Sequence, residues 1–146
     1  MDNNVTISLE GTESPVGLEK IEAFILEVLE RLGKHRWELS IFFCNNQIIQ
    51  KLNKQYRNLD ESTDVLSFIM GENAGERFLP GDIVISLEKV EENAKEFDVS
   101  AIEELHRLLI HGILHLVGMD HESNDENEEM LILQEKLLTE CLIIRV

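Results

Sequence analysis

The chain has 146 residues, of which 43% are hydrophobic and 29% are charged. This composition is typical of a globular protein and argues against disorder, and the length predicts one domain over residues 1–146. The net charge is −16, from 29 acidic residues against 13 lysines and arginines, which argues against a broad nucleic-acid-binding surface.

No apolar run approaches the roughly 18 residues of a membrane span, and the polar start of the chain is unlike a secretory signal. The two cysteines, Cys44 and Cys141, both lie in apolar sequence. We therefore expect two buried, reduced thiols in a cytoplasmic protein that has no membrane partner.

Hydrophobic periodicity and turn residues predict the elements in chain order. The predictions are a strand at 5–9, a helix at 18–32, a strand at 39–44, a helix at 45–56, a strand at 64–70, a glycine-rich and proline-containing loop at 71–81, a strand at 82–87, a helix from Ser86 to about Phe97, a helix that a capping box opens at Ser100 and that runs to Val117, and a last helix from a second capping box at Ser123 to about Cys141. The predicted fold class is α+β, a small mixed sheet of four strands packed with about five helices.

Three of the five histidines fall within eleven residues. His111 and His115 are four apart on a predicted helix, so their side chains lie on one face. The helix stops at Gly118, and the turn after it can bring His121 back toward the same point. Three imidazoles with an open fourth position are typical of a catalytic zinc site, so we predict one zinc ion per chain; nickel and copper suit the same ligands.

The residue after the first histidine separates two kinds of zinc enzyme. Zinc proteases with this helix carry a glutamate there as the general base, and this chain has Gly112. Asp120 and Glu122 flank His121, where either could orient an imidazole or only stabilise the turn. We expect His106 to be a core or supporting residue and His35 to be a surface residue.

A second segment, 53–68, joins a helix end to a strand. Lys51 and Lys54 are explained by the helix dipole, which favours cations near a C-terminus. Arg57 differs because Asp60 and Asp64 follow it closely. A guanidinium held by carboxylates is oriented to grip a phosphate with two hydrogen bonds, so Arg57 is a candidate functional residue.

Three blocks together resemble the YbeY endoribonucleases, bacterial rRNA maturation factors. The blocks are His111-Gly-x-x-His115-x-x-Gly118-x-Asp120-His121, Asn53-x-x-Tyr56-Arg57-x-x-Asp60-x-x-Thr63-Asp64-Val65-Leu66-Ser67-Phe68, and Gly81-Asp82-Ile83-Val84-Ile85-Ser86. The chain departs from the family pattern at Ser62 and Ile69, where proline is usual, and at Met119, where tyrosine is usual. These positions concern turn stiffness and site lining rather than ligands.

The resemblance implies that His111, His115 and His121 hold a catalytic zinc on a zincin-like central helix and that Arg57 acts in RNA cleavage. It implies a zinc-dependent, single-strand-specific endoribonuclease in 16S rRNA 3′-end maturation and ribosome quality control. The expected partners are precursor rRNA and the small ribosomal subunit or its proteins. DNA is not an expected partner. Clustering of the acids on another face, or a protein partner, would reconcile the net charge with RNA binding.

Two other interpretations stay open. The chain could be another metallohydrolase, such as a peptidase, although Gly112 leaves that reaction without its base. It could also be a non-catalytic ribosome-associated module in which the metal only fastens the turn at Gly118. The module predicts a closed fourth ligand position and no effect of replacing Arg57.

Overall fold

The computed structural model describes the backbone of residues 2–118 and 124–142 and, within the last helix, the side chains of 129–141. These ranges hold four strands and five helices. They are β1 (Asn4–Leu9), α1 (Leu18–Arg31), β2 (Glu38–Cys44), α2 (Asn46–Arg57), β3 (Val65–Ala74), β4 (Arg77–Ser86), α3 (Leu87–Phe97), α4 (Ala101–Leu116) and α5 (Asn124–Leu142).

The four strands form one mixed sheet in the order β1-β2-β4-β3. β1 pairs parallel with β2, and β2 pairs parallel with β4. β3 pairs antiparallel with β4 and forms one edge of the sheet. The mixed four-stranded sheet with five helices confirms the predicted α+β fold class.

The alternation of side chains along the strands gives the sheet two different faces. Ile83 and Ile85 lie on the face that packs against α1, α3, α4 and α5, and this side holds most of the buried core. Val84 and Leu66 lie on the other face, where Ile49 of α2 packs on them in a smaller cluster. The two helices that carry the candidate residues, α2 and α4, therefore lie on opposite faces of the sheet.

α4 is the central helix, and it approaches the sheet closely at Gly112. A Cβ atom at this position would lie 2.9 Å from Cγ2 of Ile83, closer than real Cβ contacts. The hydroxyl of Ser67 on β3 is 3.4 Å from the Gly112 carbonyl oxygen, which it can reach because no side chain intervenes. The glycine is thus explained by helix–sheet packing.

The structure confirms the helix starts predicted at Ser86 and Ser100 and shows a further cap at Asn45. The side chains of Asn45, Ser86 and Ser100 accept hydrogen bonds from backbone N–H groups in the first turns of α2, α3 and α4. α4 ends at Leu116, and Gly118 beyond it has a φ of +100°. The second predicted capping residue, Ser123, lies outside the described residues. Of the helices described, none has the length and apolarity that crossing a membrane requires.

The predicted loop at 71–81 is wrong, because β3 and β4 continue through it as a hairpin. Its glycines shape the hairpin rather than interrupt it. Gly75 takes a φ of +64° at the tight turn between the strands, and Gly71 takes the same φ where the pairing register shifts between Ile69 and Glu72. Composition indicated a loop, but pairing with the neighbouring strand determines the conformation.

Replacing Gly112 with alanine should destabilise the protein by about 1–3 kcal/mol, because the new methyl group overlaps Ile83. The direction is diagnostic, since glycine to alanine inside a helix otherwise stabilises by up to about 1 kcal/mol. Urea unfolding of G112A, I83A and the double variant measures the coupling between the two positions. The packing account requires G112A to cost less in the I83A background, and equal costs would contradict it.

Candidate functional site

The histidine pair lies on the exposed side of the last two turns of α4. His111 and His115 are both half-buried, and their Nε2 atoms are 3.2 Å apart. Two nitrogen ligands at about 2.05 Å from one tetrahedral ion are about 3.3 Å apart. The two imidazoles therefore have the separation that a shared metal ion needs.

Gln134 of α5 determines which nitrogen of His111 carries its proton. The Gln134 Nε2 group donates to a carboxylate oxygen of Glu135 at 3.3 Å, so the amide oxygen is the end that faces His111. The His111 Nδ1–H then donates to Gln134 Oε1 at 2.7 Å. Neutral His111 consequently has its lone pair on Nε2, the atom next to His115.

Glu135 links this support to a charged network on α4. Arg107 donates to both carboxylate oxygens of Glu135, and it also bonds Glu103 and the buried Glu104. The hydrogen bonds from Arg107 lower the pKa of Glu135 below its ordinary value. Burial raises the pKa of Glu104, because desolvation outweighs its bonds to Asn93 and Arg107.

The same network reaches the second sequence block. Asn93 bridges Glu104 to the carboxylate of Asp64, with both distances 3.2 Å. Asp64 also accepts from the backbone N–H of Val65 at the start of β3. A continuous chain of polar contacts thus connects the beginning of β3 to His111 through α3, α4 and α5.

The third predicted ligand, His121, lies outside the described residues, as do Asp120 and Glu122. Within residues 2–118 and the described part of α5, no group of three His, Cys, Asp or Glu side chains could hold a metal ion. The structure therefore brings together two of the three predicted ligands, and the assignment of His121 stays a prediction.

Arg57 occupies the last turn of α2 and is exposed. The expectation that Asp60 and Asp64 hold it is wrong. Asp60 bonds Gln50 and lies 3.8 Å from Lys54, and Asp64 bonds Val65 and Asn93. Among the described residues, no hydrogen bond or ion pair engages the Arg57 side chain. The reason is local geometry: both carboxylates are used by nearer donors that spacing along the chain does not reveal.

The other histidines and the cysteines fall as predicted. His106 is 2% exposed, donates from Nδ1 to the Ile102 carbonyl and packs edge-on against Phe24. His35 is exposed. Cys44 and Cys141 are buried free thiols. The residue that sequence reasoning missed is Gln134, which is 23 positions from His111 and carries no local signal.

The family model described as "Endoribonuclease YbeY" matches residues 6–142 of this chain. A Treponema denticola protein named Endoribonuclease YbeY is 50% identical over 147 aligned positions, covering 94% of this chain and 93% of the relative. A relative of the same name from Borrelia turicatae is 52% identical over 120 positions, covering 80% and 81%. With a match of this length and identity, the chain belongs to the YbeY endoribonuclease family.

The fold agrees with that of a solved structure. The solution structure of TM1509 from Thermotoga maritima superposes with a TM-score of 0.68 and is 33% identical, covering 94% of this chain and 89% of that one. The α+β architecture, with α4 central beneath a mixed sheet, is therefore shared with that protein.

Replacing Arg107 with methionine should lower the free energy of unfolding at neutral pH by about 2 kcal/mol, because Glu104 is then buried without its cation. The loss should shrink as the pH falls, in two steps. Glu104, whose pKa is raised, gains its proton above 4.5, the ordinary glutamate value, and then needs no counter-charge; Glu135, whose pKa is lowered, keeps its bonds to Arg107 until the pH is below 4.5.

Urea unfolding at pH 7, about pH 4 and about pH 3 separates the contributions of Glu104 and Glu135. R31M is the matched control, since Arg31 bonds the more exposed Glu27 and Glu140, and its loss should stay below about 1 kcal/mol. A cost for R107M that is independent of pH would contradict the role of the two carboxylates.

Proposed function

We propose that this protein is a zinc-dependent, single-strand-specific endoribonuclease that acts in the cytoplasm on small-subunit rRNA. Its proposed role is 16S rRNA 3′-end maturation and ribosome quality control, in contact with the small ribosomal subunit or its proteins. Membership of the YbeY family and the name of its relatives support the endoribonuclease activity. The observation that carries the metal dependence is the 3.2 Å separation of the His111 and His115 Nε2 atoms.

His111, His115 and His121 are the proposed ligands of one zinc ion. Such an ion, when bound, supplies Lewis-acid chemistry and lowers the pKa of its water toward about 7. The chain's own contribution is to hold the imidazoles: α4 fixes their spacing, and Gln134 fixes the tautomer of His111. Partial exposure of both rings leaves the pair accessible to an RNA strand.

Arg57 is the proposed catalytic cation. Its side chain is exposed and is engaged by no carboxylate among the described residues, so its donors are available to a phosphate. A planar guanidinium can donate two parallel hydrogen bonds to phosphoryl oxygens and stabilise the charge that builds on them during cleavage. Because the net charge of −16 argues against a broad basic surface, contact with phosphate would depend on local cations such as Arg57.

The packing of Gly112 argues against the peptidase alternative. A zinc peptidase of this helix type needs a glutamate at that position. Here the position faces Ile83 of the sheet, and a Cβ atom would already lie 2.9 Å from Cγ2 of that side chain. A glutamate would have to displace Ile83 from the core, and the chain has glycine there, so the peptidase reaction would have no base at its usual place.

Purified protein should cleave a single-stranded rRNA fragment, and a chelator should stop cleavage until zinc is restored. H115A should lose cleavage at least about 100-fold through loss of the metal, and R57A should lose about 10²–10³-fold through loss of charge stabilisation. R57K should be intermediate, because an ammonium cannot form the two parallel bonds.

K95A is the control for R57A, since it removes one cation from the last turn of α3 without touching the site. It should cleave like the wild type. Gel analysis of end-labelled RNA gives the rates. Full cleavage by R57A, or by chelated protein, would contradict the mechanism, and a chain that binds ribosomes without cleaving RNA would favour the module alternative.

Replacing Gln134 with leucine should weaken zinc binding about tenfold, because the Nδ1–H of His111 loses its acceptor and the ring its orientation. Q134E keeps an acceptor and should retain the affinity. Competition with a zinc chelator gives the affinities, and Q47L, at an exposed glutamine of α2, is the control. Wild-type affinity in Q134L would show that the bond does not support the site.

A further inference from the structure

The second and third sequence blocks converge on a groove on the α2 face of the sheet, away from the histidines. The strand registers place Thr6, Ser40, Asp82 and Phe68 opposite one another, in one row across all four strands. At the usual strand spacing this row is about 14 Å long. Tyr56 of α2 packs edge-on against Phe68, with ring centroids 5.3 Å apart, and closes one end. The groove has a volume of about 490 Å³.

The polar groups of the row are available to a ligand. Thr6, Ser40 and Asp82 are exposed, and their side chains make no hydrogen bond with any other described residue. Among the described residues that line the groove, Asp82 is the one that carries a charge. A carboxylate repels phosphate but accepts hydrogen bonds from base amino groups and ribose hydroxyls, so the groove suits the neutral part of a nucleotide.

The aromatic end of the groove supplies a stacking surface. Tyr56 is 60% exposed although it is an aromatic residue, and Phe68 beneath it is half-buried. Exposed aromatic rings are typical of sites that bind unstacked RNA bases. An apolar peptide would leave the carboxylate of Asp82 desolvated without a donor, so the composition favours a nucleoside.

Arg57, the proposed catalytic cation, is next to Tyr56 of α2, which lies at one end of the groove. Phe68 follows Ser67, whose hydroxyl lies 3.4 Å from the Gly112 carbonyl of the histidine helix on the other face of the sheet. An RNA strand bound in the groove beside Tyr56 can therefore also contact Arg57.

We propose that this groove binds a nucleoside of the single-stranded RNA substrate. The base would stack on Tyr56, and hydrogen-bond donors of the base or ribose would bond Asp82 and the hydroxyl groups of Thr6 and Ser40. The proposal rests on the proposed function in that the ligand is the RNA strand. Because an RNA ribose can donate from its 2′-hydroxyl to Asp82, the groove should prefer RNA to DNA.

The test is equilibrium binding of a short, fluorescently labelled, unstructured RNA to the full chain at fixed salt, with chelator present so that the strand stays intact. Y56A and Y56L should each weaken binding about tenfold or more, because both remove the aromatic face. Y56L keeps an apolar cover on Phe68, which guards against unfolding, and Y56F should bind like the wild type. F97A is the matched control, since Phe97 is 58% exposed on α3.

D82A should lower the preference for RNA over DNA of the same sequence, whereas D98N, an exposed aspartate outside the groove, should not. If D82A instead strengthens binding of RNA and DNA equally, Asp82 only repels phosphate and the proposal is wrong. Wild-type affinity in Y56L would also overturn it. A free nucleoside monophosphate should compete far more weakly than the strand; equal competition would assign the groove to a small molecule instead.

Photocrosslinking of 4-thiouridine RNA to the zinc-loaded chain locates the contact directly. Crosslinks are expected on the peptide that contains Tyr56 or on strands β2 and β4, and crosslinks confined to other surfaces would contradict the proposal. The two hypotheses can fail separately. If the wild type cleaves RNA but Y56L binds RNA with normal affinity, only the groove hypothesis is wrong. If the wild type binds RNA through the groove but does not cleave it, only the proposed function is wrong.

Discussion

The close contact between α4 and the sheet at Gly112 and Ile83 is the constraint on which the site depends. It sets the depth at which the helix lies beneath the sheet. His111 is the next residue before Gly112, and His115 is one turn further along, so the position of both imidazoles follows from this contact. A wider helix–sheet separation would shift the two rings relative to β3 and α2. The packing of α4 in the core thus also determines the geometry of the histidine pair.

A polar network then orients the histidine side chain that packing alone does not hold. Packing places the axis of α4 but does not orient an imidazole ring that is half exposed. Gln134 provides that orientation, and Glu135 and Arg107 in turn orient Gln134. The charges in this network lie in a partly buried setting, where hydrogen bonds to ionised groups are stronger than at an open surface. Its formation requires α5 to dock on α4, so the site is complete only in the folded protein.

Sequence reasoning predicted the features that depend on the spacing of residues close together in the chain. The i, i+4 histidines, the capping side chains of Ser86 and Ser100, and the alternating strands all depend on residues within one turn or one strand. The hairpin across 71–81 was missed because its glycines also suit a loop, and only pairing with the neighbouring strand distinguishes the two. The bond from Gln134 to His111 and the row from Thr6 to Phe68 join distant parts of the chain. Neither can be derived without the register and docking of whole elements.

The two native thiols have a practical consequence for studying this molecule. Burial raises the pKa of Cys44 to about 11 and raises that of Cys141 above its ordinary value, so both sulfurs stay protonated and shielded at neutral pH. The thiolate is the species that alkylating reagents attack. A cysteine introduced on the surface would therefore react with a maleimide dye far faster than either native one, and site-specific labelling needs no prior removal of the native cysteines.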